Sequence, residues 1–245
     1  MNFSFDYSGK RVLVTGGVSG IGRAVALGFS AAGAEVVACG LTEQELVAAR
    51  ADPAFARISV VPLDVTDKAA VDELVGGLGS LDVVVTSAGI IRRDSEHEPE
   101  VFDQVIDVNL SGSMRVATAA RPLLARARGS IVLVGSVMSF FGGPRQPAYS
   151  ASKGAIRNLT MSLASAYAED GIRVNAVAPG WVITDLSKGA RENAKRNAMI
   201  LARTPMARWA QPDEIADPVL FLCSDAARFM TGTVMLVDGG FTSVG

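Results

Sequence analysis

RVLVTGGVSGIG, residues 11–22, decides the fold of this chain. Val12, Leu13, Val14 and Thr15 form a short apolar and β-branched run, the mark of a strand covered on both faces. Gly16, Gly17, Gly20 and Gly22 follow at once, and from Gly20 to Gly33 small and apolar residues recur on one side of a helical pattern. A strand that turns through glycines into a helix opens a βα unit. Glycine removes the Cβ where the turn is tight and where a pyrophosphate must approach backbone N–H groups, and the helix N-terminus adds partial positive charge. Gly16, Ser19, Gly20, Ile21 and Gly22 are therefore candidates for holding a dinucleotide.

The alternation continues outward from this unit. Strands are expected at 35–39, 58–65, 81–89, 130–136, 172–180 and 233–240, with long helices at 99–127 and 147–170 and a shorter one at 212–225. Near-continuous Val, Ile and Leu strands separated by helices predict an α/β fold. Right-handed crossovers make it a single-domain, doubly wound parallel sheet of about seven strands, Rossmann-type, with helices on both faces. No linker, repeat or low-complexity segment divides residues 1–245. Ligands of such sheets bind beyond the carboxyl ends of the strands, the edge that carries Ser87, Ala88 and Gly89, then Ser136, then Pro179 and Gly180.

Composition narrows the function classes. The net charge is -2 with no dense basic stretch, which argues against a nucleic-acid binder. No apolar run reaches membrane-spanning length, and the N-terminus MNFSFDYSGKR lacks a signal-peptide core, so a soluble, cytoplasmic protein is expected. Cys39 and Cys223 lie in apolar surroundings and read as reduced thiols. The single histidine, His97, sits in the charged run DSEHEPE, read as a solvated loop or helix start, and builds no metal cluster.

A second constellation lies in GSVMSFFGGPRQPAYSASKG. On a helix, Tyr149 and Lys153 stand one turn apart on one face. An ammonium there favours the phenolate, and a tyrosine so tuned can give a proton to a carbonyl oxygen or take one from an alcohol. Ser136 is placed to hold the same oxygen.

Together these residues resemble the short-chain dehydrogenase/reductase family over essentially the whole chain. The resemblance rests on TGGVSGIG at 15–22, SAG at 87–89, Asn109 in VNL, Ser136, Tyr149 with Lys153, Pro179-Gly180 and VDGG at 237–240. It implies a nicotinamide-dependent oxidoreductase acting on CH–OH groups, with Asn109, Ser136, Tyr149 and Lys153 as the catalytic tetrad. By the family's roles, Tyr149 is the acid/base, Ser136 positions the reacting oxygen, and Lys153 lowers the tyrosine pKa and holds the nicotinamide ribose. Asn109 kinks its helix and holds a water that links Lys153 to solvent. Asp64 and Val65 match the position that caps the adenine, Val182 lies in the loop after strand six, and Thr184 matches the residue that holds the nicotinamide amide. Where the family often has Asn-Asn-Ala-Gly, this chain has Thr86-Ser87-Ala88-Gly89.

Choice between NAD(H) and NADP(H) is expected after strand two, where an acid selects for free ribose hydroxyls and a base for a 2′-phosphate. Here Gly40 and Leu41 offer neither. Gly40 leaves room for a phosphate and Thr42 offers it a hydroxyl, but no nearby cation compensates its burial. NAD(H) is the expected cofactor, with weak discrimination against NADP(H).

The segments AGIIRR (88–93), MSFFGGPR (138–145) and ILARTPMARW (200–209) are similar to the sugar-acid branch of the family, the 2-deoxy-D-gluconate 3-dehydrogenases (2-dehydro-3-deoxy-D-gluconate 5-dehydrogenases) and gluconate 5-dehydrogenases. Arginine presents two parallel donors to a carboxylate, so Arg92, Arg93 and Arg145 are candidate anchors for such a substrate. The alternative for each is an ion pair with Asp94, Glu96 or Glu98, or a subunit contact. Met138 and Trp181 are candidates for the pocket wall, and residues 185–205 for a lid over it. The resemblance also implies a homotetramer, for which Ala117, Ala119, Ala120, Ala155 and Ala164 offer close helix contacts between or within subunits. Rival readings are a 3-oxoacyl-carrier-protein reductase, a neutral sugar or polyol dehydrogenase, and a non-catalytic dinucleotide sensor.

Overall fold

The computed structural model describes residues 5–244. Among them, β1 (Arg11–Thr15), β2 (Glu35–Gly40), β3 (Ile58–Pro62), β4 (Val83–Thr86), β5 (Ser130–Val134), β6 (Arg173–Pro179) and β7 (Val234–Val237) form one parallel sheet in the order β3-β2-β1-β4-β5-β6-β7. The order reverses between β1 and β4, where Val12 pairs with Val83, and this switch point is where a doubly wound sheet opens its crevice.

Residue parity sorts the strands onto two cores. Val12, Val14, Val36, Ala38, Val83, Val85, Val132 and Val134 pack with α1 (Gly20–Ala31), α2 (Glu43–Ala51) and α9 (Asp213–Cys223). Leu13, Val37, Val84, Ile131, Leu133 and Val174 face the other way, against α3 (Lys68–Gly76), α5 (Gly112–Ala127) and α6 (Pro147–Ala166). Each fully buried Val, Leu or Ile contributes about 1.5–3 kcal/mol, so burial on both faces fixes the layers before any polar pairing is made. Ala117, Ala120 and Ala164 are spent inside this subunit, in the second core.

The helix expected at 99–127 is divided. It runs as α4 (Pro99–Ile106), a π-helical turn (Asp107–Ser111) and then α5, and Asn109 lies in the turn. One extra residue per turn at that point re-aims a side chain without ending the helix. The stretch 185–205 is likewise several short pieces: a single turn (Asp185–Ser187), α7 (Lys188–Glu192) and α8 (Ala194–Arg203). Among the described residues no helix is long and apolar enough to cross a membrane, and no group of three or more His, Cys, Asp or Glu could hold a metal. Both cysteines are free, and burial pushes each thiol up to about 12.

Candidate active site

The glycine loop is shaped by what its residues lack. Gly16 has φ +64°, and a Cβ there would lie 2.8 Å from the backbone of Ala88. At Gly22 a Cβ would fall 2.1 Å from the carbonyl oxygen of Gly16. The loop is thus folded onto itself and onto the end of β4, where Ser87 N–H donates to Thr15 O at 3.1 Å. Ser19 begins α1 without a side-chain cap, and no acidic residue stands in the first turn. The first-turn N–H groups and Ile21 are consequently left to meet an anion from outside the helix. Gly20 has φ +52°, and its missing Cβ would lie 3.3 Å from the methyl of Thr184. The loops after β1 and β6 therefore close on each other across the crevice. Gly180 abuts Asp238, and Val182 is buried, with a bridge to Ala210. These features fit a dinucleotide diphosphate.

After β2 the structure corrects one expectation. The space beside Gly40 is filled: a Cβ there would lie 2.6 Å from Val18 and 3.1 Å from Leu46. Thr42, offered as a phosphate ligand, is engaged in a capping box, its Oγ1 donating to Glu45 Oε2 at 2.9 Å. Leu41 is exposed, and the first turn of α2 carries Glu43 and Glu45. Asp64 closes a local turn, accepting from Thr66 N–H at 2.8 Å, and Val65 is buried against Gly112.

Ser136 lies just beyond β5, where its Oγ accepts from Met138 N–H at 3.2 Å. Ser139 ties this turn to the next helix by donating to Lys153 O at 2.6 Å. Tyr149 and Lys153 share one face of α6, with Lys153 Nζ 5.6 Å from the Tyr149 ring centroid. Lys153 is buried, its Nζ donates to Val134 O at 2.7 Å, and burial pushes its pKa down to about 8. Burial also raises the Tyr149 pKa, while the hydroxyl of Ser136 and the charge of Arg93 pull it down. Lys153, the source of tuning expected from sequence, points its ammonium at Val134 O here, and the groups that pull the phenol down against its burial are Ser136 and Arg93. Asn109 accepts from Ile90 N–H at 2.8 Å and donates to Ile90 O at 3.0 Å and Ser152 Oγ at 3.1 Å. Both of its side-chain donors are taken within the protein, binding the β4 loop to α6. Gly89 is pressed against Asn109 and Lys153.

The three candidate arginines separate. Arg92 is exposed, and Arg145, also exposed, grips Asp94 with two donors, Nε at 2.6 Å to Oδ1 and Nη2 to Oδ2. Arg93 is half-buried, donates to Gln146 Oε1 at 3.0 Å, and senses the Tyr149 phenol. Of the three it is the arginine whose charge bears on Tyr149. The ion pair that sequence offered as the alternative is what Arg145 makes. Trp181 packs edge-on against Trp209 at 5.4 Å, and Arg196 of α8 lies 5.6 Å over the Trp181 ring. Arg196 is held near Arg93, whose charge adds to burial in lowering its pKa. Met138 rests on the first turn of α6, its sulfur accepting from Ser150 Oγ at 3.9 Å. Sequence reading missed Arg196, one cation among several in 185–205, and the burial of Glu96, which it named only as an ion-pair partner in a run read as solvated.

A family model described as enoyl-(acyl carrier protein) reductase matches residues 16–242. A 2-dehydro-3-deoxy-D-gluconate 5-dehydrogenase of Pseudoalteromonas atlantica is 37% identical, over 97% of each chain. A cis-4-hydroxycyclohexanecarboxylate dehydrogenase of Sinomonas cyclohexanicum is 40% identical, over 97% of this chain and 98% of its own. A 3-oxoacyl-[acyl-carrier-protein] reductase of Thermotoga maritima is 38% identical, over 95% and 97%. Among solved structures, a proposed 2-deoxy-D-gluconate 3-dehydrogenase of Agrobacterium tumefaciens with bound NADP superposes with a TM-score of 0.89 at 36% identity, over 99% and 100%.

Proposed function

The chain belongs to the short-chain dehydrogenase/reductase family and is an NAD(P)-dependent oxidoreductase; within that family we propose that it interconverts a secondary alcohol and a ketone on a sugar acid of the deoxygluconate or keto-deoxygluconate type. The observation that carries this reading is Arg93, half-buried beside Tyr149 with Arg196 close by. The neighbouring carboxylate, Asp94, is already held by Arg145. A crevice mouth with cationic charge to spare suits a substrate carboxylate. Two of the relatives named above act, by name, on carboxylic acids that also carry a hydroxyl or oxo group.

When bound, the nicotinamide gives or accepts the hydride. Tyr149 gives the carbonyl oxygen its proton in reduction and takes it from the hydroxyl in oxidation. Ser136 holds that oxygen in place through the same hydroxyl that faces the phenol. Lys153, with its pKa lowered to about 8, can exchange protons near neutral pH and lies one helical turn from the tyrosine. Asn109 keeps the β4 loop seated on α6. Residues 185–205 act as a lid, with Arg196 of α8 lying over the Trp181 ring.

NAD(H) is the preferred cofactor in this reading. Glu43 and Glu45 at the start of α2, with no cation at Gly40 or Leu41, disfavour a 2′-phosphate. Titration of NAD+ and NADP+ checks this, and tighter binding of NADP+ contradicts it. The protein is further read as a cytoplasmic homotetramer, with exposed Met114 of α5 and Met161 of α6 available for subunit contact; light scattering on the eluted protein tests the assembly.

The decisive experiment is a panel of aldonates and uronate-derived keto acids, with 3-oxoacyl carriers and neutral polyols as rivals. Turnover should be confined to the acids. Tyr149→Phe should lower kcat by about a hundredfold to ten-thousandfold with NAD+ affinity retained; near-native turnover sinks the acid/base assignment.

A further inference from the structure

The charged run DSEHEPE carries a buried carboxylate at its centre. Glu96 is 1% exposed and stands among the largest fully buried side chains, a set otherwise apolar. Its oxygens divide between two backbone groups: Oε1 accepts from Arg92 N–H at 2.8 Å, and Oε2 accepts from Tyr149 N–H at 2.8 Å. A carboxylate taken out of water is costly unless its lone pairs are met, so both bonds are needed to keep it there.

The start of α6 explains the second bond. Pro147 has no N–H, and Gln146, at the cap position, makes no side-chain cap bond. Tyr149 N–H is then an orphan donor of the first turn, and Glu96 satisfies it from 53 residues away with a charge the helix N-terminus favours. The first bond closes the turn that presents Arg93. Around this peg the two loops are laced together. Asp94, at φ 72°, donates its N–H to Arg145 O at 2.8 Å; Arg93 reaches Gln146 at 3.0 Å; His97 meets Pro144 O at 3.1 Å. A left-handed aspartate persists only where its surroundings hold it.

We propose that Glu96 is a positioning residue, which caps α6 at Tyr149 and sets the Arg93 turn, holding the proton donor and the neighbouring cation in register. It touches no reacting atom and acts through those two residues. Its charge reaches both of them, working against the burial that lowers the Arg93 pKa and with the burial that raises that of Tyr149. The inference rests on the acid/base reading of Tyr149, and Tyr149→Phe alone tests that reading whatever Glu96 does.

The test uses Glu96→Ala and Glu96→Gln in the full chain, each also combined with Tyr149→Phe. Glu96→Ala should lower kcat by about tenfold to a hundredfold, the range expected from a displacement near 1 Å. The Kd for NAD+ should stay native, because the bonds of Glu96 run to Arg92 and Tyr149 rather than to the glycine loop. Glu96→Gln keeps the shape and one accepting oxygen, so it should recover part of the loss. In the Tyr149→Phe background neither change should lower kcat further, since the share that runs through Arg93 appears in KM for the acid. Native kcat in Glu96→Ala, a kcat loss that persists in the Tyr149→Phe background, or a matching loss of NAD+ affinity each overturns the proposal. Should Glu96→Ala fail to fold, Glu96→Gln decides: reduced kcat with native NAD+ affinity supports the proposal, and native kcat or failure to fold overturns it.

Discussion

The glycine loop and the arginine mouth lie along one crevice and are built by opposite means. At the loop, geometry comes from missing atoms: a Cβ at Gly16 or Gly22 would strike backbone at 2.8 or 2.1 Å. At the mouth, geometry comes from choices between partners far apart in the chain. Arg145 turns to Asp94, Arg93 to Gln146, and Glu96 to Tyr149, across separations of 51, 53 and 53 residues. The first kind of site tolerates almost no substitution, while the second can be retuned one side chain at a time. On the proposed reading, a fixed cofactor end paired with an adjustable substrate end suits a family in which relatives of this chain, by name, act on substrates as different as sugar acids and acyl-carrier-protein thioesters.

That contrast breaks if a change at one end moves the other. Gly16→Ala puts a side chain on a left-handed residue against unyielding backbone, a strain of about 1–3 kcal/mol, and should weaken NAD+ binding about tenfold to a hundredfold. Selectivity between acid and neutral substrates should not change; a shifted ratio, with NAD+ saturating, shows that the two ends are coupled.

Lys153 stands between the two regions and sharpens the comparison through pH. Its folded pKa, about 8, lies below the ordinary lysine value of 10.5. Between those values the unfolded chain holds a proton that the folded chain has released, so folded stability rises with pH across the window, and the penalty is fully present below it. Lys153→Met lacks this dependence. The difference in unfolding free energy between wild type and variant should therefore grow, in favour of wild type, by roughly 3 kcal/mol from pH 8 to 10.5. Urea titrations at both ends of the range measure it, and a constant difference contradicts a desolvated lysine. A smaller effect is expected from Leu41→Arg, which places a cation where a 2′-phosphate lies. NADP+ should bind several-fold tighter, on the order of 1 kcal/mol for an exposed pair, with NAD+ nearly unaffected; unchanged NADP+ affinity removes Leu41 as a determinant.

How much could be read in advance follows the same division. The strands, their alternation with helices and the glycine loop were legible because each depends on residues adjacent in sequence. Ser136, Tyr149 and Lys153 were found by helical spacing and strand-edge placement, and the structure gathers them at one edge. The direction in which Lys153 points was not legible, since the carbonyl it meets, Val134, belongs to β5 rather than to its own helix. A kink at Asn109 was expected only through family likeness, because the backbone its side chain meets, at Ile90, lies outside its own helix. The burial of Glu96, named only as an ion-pair partner, escaped: five of the seven residues in DSEHEPE are charged or histidine, and nothing local distinguishes the one that turns inward. Arginine identity suggested a carboxylate, but which arginine is free for it depends on Asp94 choosing Arg145 over its neighbours.

The central claim is that Arg93, beside Tyr149, reads the substrate carboxylate while Arg145 serves the loop. It is tested most directly by kcat/KM for a turned-over sugar acid and for its neutral amide, in wild type, Arg93→Ala and Arg145→Ala. A charge-assisted arginine–carboxylate contact of about 1.5–3 kcal/mol predicts that wild type prefers the acid by about tenfold to a hundredfold. Arg93→Ala should abolish that preference, and Arg145→Ala should largely keep it. Equal losses on acid and amide in Arg93→Ala, or a preference that vanishes with Arg145 instead, would contradict the account.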